Sequence, residues 1–152
     1  MLQTNEENLK SLLVQGIKLR DEIRLFNQRT FSTFPEFNKF LKSINEKSNS
    51  LNMLFRTFIR DLPNNEENAI LITILRSFKA NLKNLEKVCV INNSTYSNKF
   101  FKKASPLTDP TQKEYIETCL DLFTGSLNLL ESYLNGYLHY DTRPNSNYPP
   151  IA

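Results

Sequence analysis

His139 is the single histidine in the chain, and imidazole is the side chain best suited to exchanging a proton near neutral pH. A helical di-metal centre needs paired Glu-x-x-His motifs on facing helices, and no such pair exists around one histidine. The Arg–His pair of a helical ribonuclease is also missing, because no arginine lies between Arg76 and His139. A Ser-His-Asp or Cys-His nucleophile would have to use the same residue, which sits near the end of a helical pattern where a cation suits the helix dipole. Cys89 and Cys119 are too few and too far apart for a disulfide framework or a zinc site, and both fall on or beside apolar positions, where cysteine acts as a small hydrophobe. Gly16, Gly125 and Gly136 are isolated within helical patterns, so no glycine-rich loop is available to cradle a phosphate. The expectation is a protein that is not an enzyme, with no cofactor and no bound metal.

The residues with the most chemistry left to explain lie together in "NNSTYSNKFFKKASPLTDPT", residues 92–111. Tyr96, Lys99, Phe100, Phe101, Lys102 and Lys103 interleave rings with ammonium groups, and no acid appears before Asp109. Aromatic faces stack on bases while ammonium groups meet phosphates, and the same ingredients suit a protein-docking segment. Three cations are few for sequence-independent nucleic-acid binding, which usually rests on many phosphate contacts. An alternative use is purely structural, with Phe100 and Phe101 pinning the connector to the rest of the fold. Structureless connections longer than about 12–15 residues are uncommon in compact domains unless they carry a function or are disordered. These six residues are therefore the candidate partner-binding set.

Four helical patterns must position that segment. The first spans about 3–28, with Leu9, Leu12, Gly16, Leu19, Ile23 and Phe26 at alternating steps of three and four. The second, about 34–62, carries Phe37, Leu41, Ile44, Ser48, Leu51, Phe55, Phe58 and Leu62. The third, about 65–91, carries Leu71, Leu75, Phe78, Leu82, Leu85 and Cys89. The fourth, about 110–140, carries Ile116, Leu120, Phe123, Leu127, Leu130, Leu134 and Tyr137. Capping boxes are expected at Thr4 with Glu7, Thr33 with Glu36, Asn64 with Glu67 and Asp109 with Gln112, where side chain and backbone at the helix start satisfy each other's donors. Pro110 suits a first helical position, which needs no amide donor. Gly16 and Gly125 are expected to let neighbouring helices approach closely.

Steps averaging 3.5 residues keep one apolar seam facing its partners along a gentle supercoil. Four amphipathic helices of similar length define an all-α, single-domain four-helix bundle over residues 1–140. Short turns make the first three helices successive antiparallel neighbours, and up-down-up-down is the simplest arrangement, with a long connection between the third and fourth. Pro144, Pro149 and Pro150 stop any further helix, so 141–152 reads as a flexible tail. Phe37 and Phe40 are expected to join the core and Phe31 and Phe34 to brace the first turn much as a hydrophobic staple does, while Tyr133 and Tyr137 sit one helical turn apart at a bundle end. "NEEN" recurs at 5–8 and 65–68, but the unequal helix spacings favour convergent first-turn chemistry over duplication.

At 152 residues the chain is long enough to bury a continuous core without cross-links. Its formal net charge of +3 is too small to imply nucleic-acid binding by itself. The distribution says more: Lys99, Lys102 and Lys103 precede a helix carrying Glu114, Glu117, Asp121 and Glu131 against Lys113 alone. No signal pattern opens the chain, and no apolar run reaches the roughly 18–20 residues of a membrane span. The expected setting is cytoplasmic. The expected partner is another protein or a second copy of the chain, with 92–108 as docking segment. The alternative is a nucleic-acid-associated subunit using that segment and the basic faces of the second and third helices.

Overall fold

The computed structural model describes residues 2–91 and 110–142, with side chains over 6–89 and 111–136. Among these the chain is helical throughout apart from short turns. The helices are α1 (Leu2–Gln28), α2 (Phe34–Asp61), α3 (Ala69–Glu86) and α4 (Pro110–Thr142). A 3-10 turn, Glu66–Asn68, leads into α3, and a π-helical turn, Lys87–Ile91, extends it.

Neighbouring helices meet in opposite directions. Phe26 of α1 packs on Phe37 and Phe40 of α2, and further along Glu22 pairs with Lys47. Phe55 stacks on Phe78 at 5.8 Å, and Asn52, one turn earlier on α2, bonds Glu86, two turns later on α3. Ser77 meets Ser126 and Asn81 meets Leu122, so position rises on α3 as it falls on α4. Asn27 reaches Lys113 and Glu117 while Gly16 faces Leu127, giving the same reversal between α1 and α4. The result is a four-helix bundle whose ring order follows the chain.

The apolar stripes turn inward as their spacing requires. Every stripe residue named above for α1, α2 and α3 is buried, as is each from Ile116 to Leu134 on α4, and Ile74 and Val88 join them. Tyr137 and its neighbours to Tyr140 lie in α4 with side chains outside the described set. Phe26, Phe31, Phe37 and Phe40 form one ring cluster beneath the α1–α2 turn, with centroid separations of 5.4–5.7 Å. Arg29 lies over the Phe31 and Phe40 rings at 5.2 and 5.7 Å, a cation–π contact that holds the turn against the cluster. Phe34 is only partly buried at its edge.

The helix starts depart from expectation in instructive ways. Thr33 does cap α2, accepting from the Glu36 amide at 3.3 Å. The Glu36 carboxylate pairs with Arg29 instead of returning to the cap amide, because the guanidinium docked on the turn is a stronger partner. Asn65, not Asn64, opens the third helical segment, accepting from the Asn68 amide at 3.1 Å. Asn68 in turn donates to the Pro63 carbonyl at 2.9 Å, which ties the 3-10 turn to the preceding loop. Thr4 lies inside α1, which continues back to Leu2, since neither Leu2 nor Gln3 is a helix breaker. Asp109 lies outside the described residues, while Pro110 is the first residue of α4.

The two mid-helix glycines differ. A Cβ on Gly16 would lie 2.6 Å from Leu127 Cδ2, so the Leu127 side chain occupies the space that a Cβ would take. A Cβ on Gly125 would meet nothing within 4 Å. Among the described residues, then, none makes the expected close approach at Gly125, which faces outward.

Candidate functional site

Tyr96, Lys99, Phe100, Phe101, Lys102 and Lys103 lie outside the described residues, as do 143–152. What the fold does establish is where their segment is anchored. Ser77 opposite Ser126 and Asn81 opposite Leu122 set one register between α3 and α4. Extended along both helices, that register brings Ile91 level with the first turn of α4. The 18 residues from 92 to 109 thus join two helix ends at the same end of the bundle, across one interhelical spacing of about 8–10 Å.

The α3–α4 seam is pinned by polar groups. Asn81 Nδ2 donates to Ser126 Oγ at 2.6 Å and to the Leu122 carbonyl at 3.1 Å, and Ser77 Oγ lies 3.1 Å from Ser126 Oγ. Ser126 is 1% exposed, so these bonds satisfy a hydroxyl that would otherwise be desolvated without a partner. Outside this seam runs a groove of about 430 Å³ lined by Asn84, Glu114, Tyr115, Thr118, Cys119 and Leu122. Tyr115, Leu122 and Leu129 stand on the outward side of α4 at 60%, 53% and 46% exposure.

A second groove, of about 300 Å³, lies between α2 and α3. Phe55, Ile59, Leu62 and Ile72 form its apolar part, and Arg76 and Lys79 its basic part. Lys79 Nζ sits 5.9 Å from the Phe55 ring centroid. Arg56, Arg60 and Lys83 are exposed along the same two helices. Deeper between α2 and α3, Glu86 accepts from Ser48 and, at 2.8 Å, from Asn52, which stations one carboxylate beside the core.

Among the described residues no three His, Cys, Asp or Glu side chains come close enough to hold a metal ion. The His139 side chain lies outside the described set. Burial pushes the Cys89 thiol up to about 12 and raises Cys119 as well, which keeps both protonated and poorly nucleophilic at neutral pH. Asn27, 3% exposed, donates to the Lys113 carbonyl and to Glu117 Oε1, both at 3.1 Å, and ties α1 to α4. Its Oδ1 has no hydrogen-bond partner among the described residues.

The two grooves were not singled out by residue type. The signal of the α3–α4 groove lay in the second, outward heptad of α4 (Tyr115, Leu122, Leu129), hidden by the stronger inward one. No described helix is long and apolar enough to cross a membrane. Comparison with protein-family models, with curated proteins and with solved structures found no match.

Proposed function

We propose that this chain is a non-enzymatic helical-bundle adaptor, scaffold or complex subunit that works through protein–protein contacts in a cytoplasmic setting, with 92–108 as its docking segment. The observation that carries this reading is the mismatch between the connection and the gap it bridges. Eighteen residues extend to roughly 60 Å, whereas the helix ends they join are neighbours at one end of the bundle, separated by about 8–10 Å. Closing the fold needs a turn of a few residues. The excess carries Tyr96, Lys99, Phe100, Phe101, Lys102 and Lys103, a set rich in the aromatic anchors that dominate interfaces.

The test is capture of partners by the intact chain and by the Lys99→Glu, Lys102→Glu, Lys103→Glu triple variant. A specific partner is expected to be lost from the variant while its helical circular dichroism and melting temperature stay unchanged. Undiminished capture by the folded variant sinks 92–108 as the docking segment.

A nucleic-acid-associated role is the second reading, and the basic groove of α2 and α3 favours it. Arg76 and Lys79 offer phosphate contacts in the groove that Phe55 lines, and Arg56, Arg60 and Lys83 stand exposed along the same two helices. Electrostatic binding strengthens as salt falls, so no shift of single-stranded RNA or DNA at about 50 mM salt removes this reading.

A further inference from the structure

We propose that the outer face of α3 and α4 is a self-association surface, on which a second copy of this chain docks with its own α3 and α4. The face is built from two heptads turned away from the core, of which all but the half-buried Ser77, bonded to Ser126, are exposed. On α4 these are Tyr115, Leu122 and Leu129, with Thr118 and Gly125 between them; on α3 they are Ile70, Ser77 and Asn84, with Thr73 and Ala80 between them. Ile70 is 63% exposed and Leu122 53%, and none of these ten residues carries a charge. Steps of three and four on both helices make the seam that a second helical pair fits.

Gly125 is the sharpest local feature. Glycine in a helix interior costs about 1 kcal/mol relative to alanine, and among the described residues nothing packs against this one. A neighbour outside the chain would use the space that a Cβ denies.

Charge selects the neighbour. Exposed Arg76, Lys83 and Lys87 edge the face along α3, and exposed Glu114 and Asp121 edge it along α4. A two-fold axis lying in the face, parallel to the helices, places α3 of one protomer over α4 of the other. A pure rotation permits no sliding along its axis, so the register is already fixed by the register within one protomer. Asn81 sits level with Leu122 and Ser77 with Ser126; by that register Lys83 comes level with Asp121, and Lys87 with Glu114, to within about half a helical turn. Gly125 comes level with Ser77 and Ala80, small against small. Basic rim meets acidic rim twice, once on each side, as an isologous interface requires. Rotation about an axis across the helices would instead set basic rim on basic rim.

None of the residues of this surface belongs to 92–108. A chain that stays monomeric leaves the docking role of that segment standing, and loss of that segment's partner leaves the dimer standing.

Sedimentation velocity on the full chain, over a wide concentration range, tests the proposal. The wild type is expected to form dimers. Gly125→Arg, whose side chain leaves a position with nothing around it, is expected to raise the dimer Kd by about tenfold or more, the loss typical of a blocked interface centre, with unchanged helical circular dichroism. Lys83→Glu and Asp121→Lys are each expected to weaken the dimer by about two- to tenfold, because each exposed pair is formed twice. The doubly swapped chain is expected to recover wild-type association. A wild type that remains monomeric at its solubility limit overturns the proposal and reassigns the groove to residues 92–108 or to a foreign helix. A dimer indifferent to Gly125→Arg, or a double swap no tighter than its single parents, also overturns it, by placing the contact elsewhere.

Discussion

Gly16 and Gly125 occupy equivalent mid-helix settings and should respond to alanine with opposite signs. At Gly16 the new methyl would sit 2.6 Å from Leu127 Cδ2, 3.5 Å from Phe78 Cε2 and 3.6 Å from Phe123 Cζ. Comfortable carbon–carbon contact is about 3.5–4.0 Å, so only the Leu127 contact is violated, by about 1 Å. Leu127 is 1% exposed and both rings are fully buried, so the leucine has little room to retreat. Overpacking of this kind costs about 1–3 kcal/mol. Replacing a helical glycine returns about 1 kcal/mol. The net for Gly16→Ala is a loss of up to about 2 kcal/mol, whereas Gly125→Ala collects the helical gain unopposed.

A double-mutant cycle isolates the cause. Leu127→Ala removes Cδ2 at a cost of about 2–5 kcal/mol, and in that background the Gly16→Ala methyl meets only ordinary contacts. Gly16→Ala should then stabilise, giving a coupling of about 1–3 kcal/mol between the two sites. The assay is urea unfolding followed by far-ultraviolet circular dichroism, at a concentration low enough to keep the chain monomeric. Gly16→Ala matching the gain of Gly125→Ala would refute the close approach. So would a Gly16→Ala penalty that persists unchanged after Leu127→Ala.

The buried Cys89 thiol, pushed up to about 12, keeps its proton where the unfolded chain loses it above about 9. Stability conferred by that group is therefore intact below pH 9 and falls by about 1.4 kcal/mol per pH unit from there towards 12. Urea midpoints measured at several alkaline pH values should show this slope in the wild type in excess of Cys89→Ala. Asn81→Ala removes the bonds to Ser126 and to the Leu122 carbonyl and should cost about 1–3 kcal/mol, because the Ser126 hydroxyl stays buried with fewer partners; a chemical-denaturation series reads this directly. Phe31→Ala opens the ring cluster under the first turn and takes away one of the two surfaces on which Arg29 rests, for a loss of about 3–5 kcal/mol. Arg29→Ala in the Phe31→Ala background should then cost less than in the wild type.

The bundle was legible because its information is one-dimensional. A stripe such as Phe37–Leu41–Ile44–Ser48–Leu51–Phe55 names the buried face from spacing alone, and even Ser48 went inside with it, where Glu86 accepts its hydroxyl. The helix starts were less legible, since caps compete for partners that come from elsewhere. Glu36 had a local role waiting at Thr33 and took Arg29 instead. The candidate binding residues of 92–108 were chosen on composition and length, and the fold sharpened only the length argument, by bringing Ile91 and Pro110 to the same end.

The glycines show why surfaces resist the same reading. Sequence gives Gly16 and Gly125 one property, the missing Cβ, and its use depends on what stands opposite. For Gly16 the opposite residue is Leu127, more than a hundred positions away. For Gly125 the described residues supply none. The inward stripe of α4 has three other helices to confirm it, and burial makes the confirmation visible. Its outward stripe, Tyr115–Leu122–Leu129, has the same seven-residue spacing but no confirming partner among the described residues. An outward heptad is informative only when combined with a fixed interhelical register, because the register decides which charges flank it and at what height. Lys83 and Asp121 are unremarkable surface residues until Asn81 and Leu122 set them level on neighbouring helices. At that point a two-fold rotation leaves no adjustable offset, and the opposite charges either meet or they do not.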